Sequence, residues 1–117
     1  MTIRRVVPNF RSQQPAENDT FYVDVLGFEL AMDMHWIATF VSPTNPTAQV
    51  SLISEDLTAP VHPDVSVEVA DLDETHRKAV EHGFDIVYPL TDEPWGARRF
   101  FVRDPNGVVV NVVSHAS

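Results

Sequence analysis

Residues 95–113 read WGARRFFVRDPNGVVVNVV, from Trp95 to Val113. Asp104-Pro105-Asn106-Gly107 is tight-turn chemistry. Proline presets φ at the second turn position, and glycine accepts positive φ at the last. The flanking runs, Arg98 to Arg103 and Val108 to Val113, are rich in aromatic and β-branched residues, so both read as strands. The second run is apolar except at Asn111, which makes both of its faces core-like. An amide among valines needs partners, because burying it unpaired costs about 1–3 kcal/mol.

The turn also sets the register. If Pro105-Asn106-Gly107 is a three-residue loop with Gly107 in a bulge, Asp104 pairs with Val108. Arg103 then stands opposite Val109, Phe101 opposite Asn111, and Arg99 opposite Val113, all on one face. Phe100, Val102, Val108, Val110 and Val112 take the other face, toward a helix. A two-residue turn would reverse the faces and put Phe100 beside Asn111.

Working outward, Ile3 to Phe10 reads as a first strand containing Pro8, which implies an edge position or a kink. Ser12 and Pro15 open a helix that runs to about Leu26, with Phe21, Tyr22, Val25 and Leu26 on its apolar face. Gly27 stops it. Strands follow at Phe28 to Met34, Trp36 to Ser42 and Ala48 to Ser54. Residues 55–63 are polar and hold Pro60 and Pro63, and read as a linker. The plan then repeats. Val65, Val67 and Val69 alternate with polar residues in a strand. Asp71 and Glu74 have capping-box spacing and open a helix to His82, with Leu72, Ala79 and Val80 inward. Phe84 to Tyr88 reads as a short strand, Pro89 to Pro94 as a loop, and the hairpin closes the chain.

The order β-α-β-β-β is therefore written twice. Gly27-Phe28-Glu29-Leu30 matches Gly83-Phe84-Asp85-Ile86, 56 residues later. This predicts an α+β fold: one domain over residues 1–117, built from modules of about 1–57 and 63–117. Each module alone buries one sheet face, and two together curl into a curved, open mixed β-barrel with helices outside and a concave pocket.

The bulk properties exclude several classes. The chain has 117 residues, 17 acidic against 8 basic, and a net charge of −9. Such a chain repels nucleic acid and anionic lipid. No apolar run approaches the ~18 residues of a membrane span. The N-terminus lacks the apolar core of a signal peptide, and there is no cysteine. A cytoplasmic protein with no nucleic-acid or membrane partner is expected.

Phe21-Tyr22, Asp24, Leu26-Gly27-Phe28, Trp95-Gly96 and Arg103-Asp104-Pro105-Asn106-Gly107 together resemble the vicinal oxygen chelate superfamily. That group holds glyoxalases, extradiol dioxygenases, fosfomycin-resistance enzymes and bleomycin-resistance proteins. Val7-Pro8, Pro94-Trp95-Gly96 and Arg103-Asp104-Pro105 look most like the bleomycin-resistance group. The resemblance implies a metal-free homodimer that sequesters a cationic antibiotic. Between Gly96 and Arg103 the chain is one residue longer than the family pattern.

Metal-using members place His, Gln or Glu on inward strand positions. By the resemblance those positions fall on Val7, Ser51, Asp64 and Asn111. Valine cannot ligate, Ser and Asn are weak neutral ligands, and one carboxylate does not hold a catalytic metal. No cofactor is expected; the alternative is one divalent metal ion. His62 and Asp64, two apart near the linker, point to one side if extended and are the pair to test as ligands, and they also fit a solvated linker.

The resemblance makes the Arg99, Phe101 and Asn111 face the concave one. Trp36, Phe40, Ser51, Trp95, Arg99, Phe101 and Asn111 are the expected ligand-binding residues. Asn111 either meets a ligand or bonds a neighbouring strand. Trp95 either rims the pocket or plugs the barrel end. Trp36 and Phe40 share a face, and which face turns inward is open. The expected function is a metal-free small-molecule-binding protein, a homodimer, sequestering a cationic or aromatic ligand. The alternative is a divalent-metal lyase, isomerase or dioxygenase of the same superfamily.

Overall fold

The computed structural model describes residues 2–55 and 59–115 of the chain. The elements run β1 (Ile3–Arg11), β2 (Glu29–Asp33), β3 (Ile37–Val41), β4 (Gln49–Ile53), β5 (Val65–Val69), α1 (Leu72–Glu81), β6 (Ile86–Asp92), β7 (Ala97–Arg103) and β8 (Val109–His115). A helical segment lies between β1 and β2. The fold is α+β, and β-α-β-β-β occurs twice in it, as the repeat predicts.

Two compact units divide the described residues, Val7–His62 and Met1–Val6 with Pro63–Ser117. The boundary falls within β1. The start of that strand joins the second unit, where Thr2 O accepts from Ala70 N at 2.9 Å and Arg5 Nε pairs with Glu68 at 3.1 Å.

In the first unit the strand order is β2-β3-β4-β1. β1 pairs in parallel with β4 from Asn9 to Arg11, starting directly after Pro8, so the missing proline amide falls outside that ladder. β2–β3 and β3–β4 are antiparallel. Ala38, Phe40, Val50 and Leu52 form the core, packed against Tyr22, Val23 and Phe28. The helical segment is irregular. A tight 3₁₀ turn over Pro15–Asn18 leads into a wide π turn over Thr20–Val25. The wide turn rotates the expected face: Tyr22 packs inward while Phe21, Val25 and Leu26 are exposed.

In the second unit the order is β5-β8-β7-β6. β5 runs parallel to β8, and the other pairs are antiparallel. Val69, Leu72, Phe100 and Val112 make the core beneath α1, with Val67, Val102 and Val110 around them. α1 starts as its sequence dictates, with Asp71 Oδ1 accepting from Glu74 N at 3.2 Å. Leu72 and Ala79 face inward, whereas Val80 is exposed. β6 continues through Pro89 to Asp92, where a loop is expected from the sequence. It is the edge strand, and its ladder to β7 shifts between Tyr88 and Thr91, across Pro89, which is how an edge accommodates a residue with no amide.

Candidate functional site

The hairpin adopts the three-residue-loop register. Arg103 pairs with Val109, Phe101 with Asn111 and Arg99 with Val113. Gly107 has φ +87°, and Asp104 N donates to Val108 O at 2.9 Å. Asp104 Oδ1 accepts from Asn106 N at 2.8 Å and Val108 N at 2.9 Å. Donation from the Val108 amide does most to hold the Asp104 carboxyl below its ordinary range; desolvation opposes it, and donation from Asn106 adds to the lowering. Phe100 consequently lies under α1, and Phe101 lies on the opposite face, both fully buried.

That opposite face of the second unit brings an ion pair and three aromatic rings together. Arg99 is buried there and pairs through Nη2 with Glu93 Oε2 at 2.8 Å, both side chains less than a tenth exposed. Tyr88 OH donates to Glu93 Oε1 at 3.1 Å. The Arg99 guanidinium carbon lies 5.3 Å from the Tyr88 ring centre, 5.4 Å from that of Trp95 and 5.0 Å from that of Phe101. Three aromatic rings thus surround one cation. Each such contact contributes from about 0.5–1 kcal/mol when exposed to about 2 kcal/mol when desolvated. Tyr88 and Phe101 also touch, with ring centres 5.0 Å apart. Trp95 is 53% exposed.

Asn111 sits beside Phe101 on this face. Its Nδ2 donates to Ser66 Oγ on β5 at 3.0 Å, while its buried Oδ1 has no partner. The amide thus bonds a neighbouring strand through Nδ2 and keeps its Oδ1 acceptor unpartnered.

The first unit places its expected site residues apart. Ser51 is buried, and its hydroxyl shares a 2.9 Å hydrogen bond with Thr39. Phe40 alternates with Thr39 along β3, so it faces the helical segment and stacks on Tyr22 with ring centres 5.2 Å apart. Phe40 is thus a core residue, corrected from its expected binding role. Trp36 precedes β3, and its carbonyl accepts from Ser54 N at 2.9 Å.

The metal-ligand positions do not fit a metal. Val7 is buried and has no donor atom. Ser51 is engaged by Thr39, and Asn111 by Ser66. Asp64 Oδ2 accepts from Val109 N at 2.9 Å, which caps the start of β8. His62 is buried, with Nε2 2.9 Å from Asn9 O. Among the described residues no three His, Asp or Glu side chains converge on a point where an ion could sit.

Residues 4–112 match the model of the Glyoxalase/Bleomycin resistance protein/Dioxygenase superfamily. The chain belongs to this superfamily. The same fold is found in a superfamily member from Vibrio splendidus 12B01, 21% identical over 97% of this chain and 99% of that one, with a TM-score of 0.68. It is found in methylmalonyl-CoA epimerase from Mycobacterium tuberculosis, 21% identical over 98% and 88% of the two chains, TM-score 0.68. It is also found in a structure described as an NAD-dependent benzaldehyde dehydrogenase from Legionella pneumophila, 21% identical over 95% and 99%, TM-score 0.74. At these identities the likeness is one of fold. No curated protein sequence matches the chain. No helix among the described residues is long and apolar enough to cross a membrane.

Glu93 and Tyr88 escape a sequence reading. The available signal is that Glu93-Pro94-Trp95-Gly96 repeats the acid-Pro-X-Gly pattern of Asp104-Pro105-Asn106-Gly107.

Proposed function

We propose that the protein is a metal-free small-molecule binder of the bleomycin-resistance type, a cytoplasmic homodimer that sequesters a cationic or aromatic ligand. Asn111 carries this reading. A buried amide oxygen with no partner costs about 1–3 kcal/mol, which a ligand N–H or O–H would recover. Tyr88 and Trp95, with Phe101 buried against Tyr88, supply aromatic surface for the body of such a ligand. Val7, Ser51, Asp64 and Asn111 lack the donor set of a divalent-metal enzyme. The dimer reading draws support from Phe21, Val25, Leu26, Leu30 and Met34, all exposed on the helical segment and around edge strand β2.

Two measurements test it. Protein purified without chelator should contain no stoichiometric transition metal, and tightly held Mn, Fe, Ni or Zn would overturn the binder reading. In a thermal-shift panel of metal-free bleomycin, planar cations and neutral aromatics, at least one compound should raise the melting temperature. Asn111→Ala should weaken that shift while leaving the free protein folded. A uniformly flat panel would contradict the reading.

A further inference from the structure

We infer that edge strand β2, with the helical segment beside it, is a docking surface for an extended segment of another protein that has an apolar centre and a lysine or arginine at each end. The inference is independent of the small-molecule reading above.

Charge is divided unevenly along the chain. No lysine or arginine stands between Arg11 and Arg77. In the second unit the arginines are engaged in pairs: Arg77 holds Glu74 and Glu81, Arg98 holds Asp73 and Asp92, and Arg99 holds Glu93. In the first unit Glu17, Asp19, Asp24, Glu29 and Asp33 are all exposed, and among the described residues none of the five has an ion pair.

Apolar surface lies among these acids. Six of the twelve large apolar side chains exposed in the described residues fall between Phe21 and Met34. That is more concentrated than the single, scattered apolar residues of an ordinary free surface. β2 adds a backbone edge. It is the outer strand of its sheet and all five of its residues are exposed, so among the described residues no strand covers one row of its amides and carbonyls. Its register puts Leu30 and Asp33 on the side of Phe40 and Ala38, and Glu29 and Met32 on the side of Val41 and Thr39. Each face of the edge therefore offers one acid and one apolar side chain, with the acids at the two ends. A strand added along it matches both faces when its centre is apolar and its ends are cationic.

A second copy is the rival occupant, because the same apolar residues support the dimer. An antiparallel pair of two β2 strands in full register sets Glu29 against Asp33 at both ends, and like charges opposite one another destabilise a ladder. Over residues 7–62 seven acids stand against one arginine, so two such surfaces also repel at longer range. Lysine or arginine at the two ends turns both contacts into attraction. The charges thus disfavour self-pairing of β2, and a dimer of this chain is held away from this edge.

The test is a titration of the full chain with the peptide acetyl-SKVTVKS-amide, followed by backbone amide NMR. Two controls run beside it, SEVTVES with the charge reversed and SKSTSKS with the charge alone. The lysine–valine peptide should bind at least tenfold tighter than either control, move the cross-peaks of Glu29 to Asp33, and slow amide exchange along β2. Glu29→Gln/Asp33→Asn keeps the acceptor that His35 N uses at 2.9 Å, and should weaken binding about fivefold. Glu29→Lys should shift the preference toward the glutamate peptide. Equal binding of the charge-only control would overturn the inference, as would shifts that leave β2 unmoved, or no saturable shift at millimolar peptide. Amide protection along β2 that rises with the concentration of the chain alone would also overturn it, because a second copy would then hold the edge. None of these results bears on the small-molecule reading.

Discussion

Two turns in the second unit share one backbone design and put their acids to opposite uses. Glu93-Pro94-Trp95-Gly96-Ala97 and Asp104-Pro105-Asn106-Gly107-Val108 each begin with an acid and proline and bring a glycine to positive φ, +95° at Gly96 and +87° at Gly107. In each, the glycine amide donates to the acid's carbonyl at 3.1 Å, and the acid's amide donates to the residue after glycine at 2.7 Å or 2.9 Å. The Asp104 carboxylate is short and folds back onto its own turn, accepting from Asn106 and Val108. Glu93 is one methylene longer. Its carboxylate leaves the turn and reaches Arg99 and Tyr88 on the sheet face. One turn closes on itself and sets a register. The other ties a loop to the site and presents a tryptophan. The difference in function follows from a single CH₂ and from the residue at the third position, Asn106 against Trp95.

The comparison breaks most visibly at the ion pair. Arg99→Met leaves Glu93 buried without its cation and should cost about 3–5 kcal/mol in urea unfolding. Glu93→Gln/Arg99→Met should recover most of that loss, because no lone charge then stays buried. A single-variant cost under ~1 kcal/mol would mean that the pair does not hold the loop. A smaller effect tests what the turns have in common. Nothing lies within 4 Å of a Cβ built at Gly96 or Gly107, so alanine at either meets only the backbone penalty of positive φ. Gly96→Ala and Gly107→Ala should each cost about 1–2 kcal/mol and agree with one another. Unequal costs would show that the turns differ in backbone as well as in side chain.

The smallest effect separates the acids by pH. The folded Asp104 carboxyl titrates below its ordinary value of 3.8, so its stabilisation is fully present above pH ~4. It is lost as pH falls through the folded value. Asp104→Asn keeps the turn's acceptor and removes the titration. Acid unfolding of this variant should therefore be shallower than that of the wild type below pH ~4, and equal slopes would contradict the assignment.

Where local chemistry decides the structure, the sequence was legible. The three-residue reading of the turn after Asp104 matches the hairpin register pair by pair, and Asp71 with Glu74 marks the start of α1. Asn111 stands out as an amide among valines and is one of the side chains with a spare buried acceptor. Where packing decides, the reading failed. Phe40 and Thr39 alternate, and only the Tyr22 ring shows which side is core. The switch from 3₁₀ to π winding over 15–25 has no period that a helix template detects, so Phe21, Val25 and Leu26 were expected inward and are exposed. Pro89 looked like a loop residue because proline ends ladders, yet edge strand β6 accommodates it. Glu93 lies in the expected loop from Pro89 to Pro94, with no local pattern that singles it out. Its role depends on Arg99 and Tyr88 arriving from β7 and β6, a tertiary meeting that no local pattern records.

On the proposed reading the ligand meets the second unit at Trp95, Tyr88 and the free Asn111 acceptor, with Phe101 buried beneath. Backbone amide NMR during titration with 2-naphthol tests it directly. The account predicts cross-peak shifts concentrated at Tyr88, Trp95 to Phe101 and Asn111 to Val113. Shifts confined to residues 7–62, or the absence of any saturable shift, would contradict it.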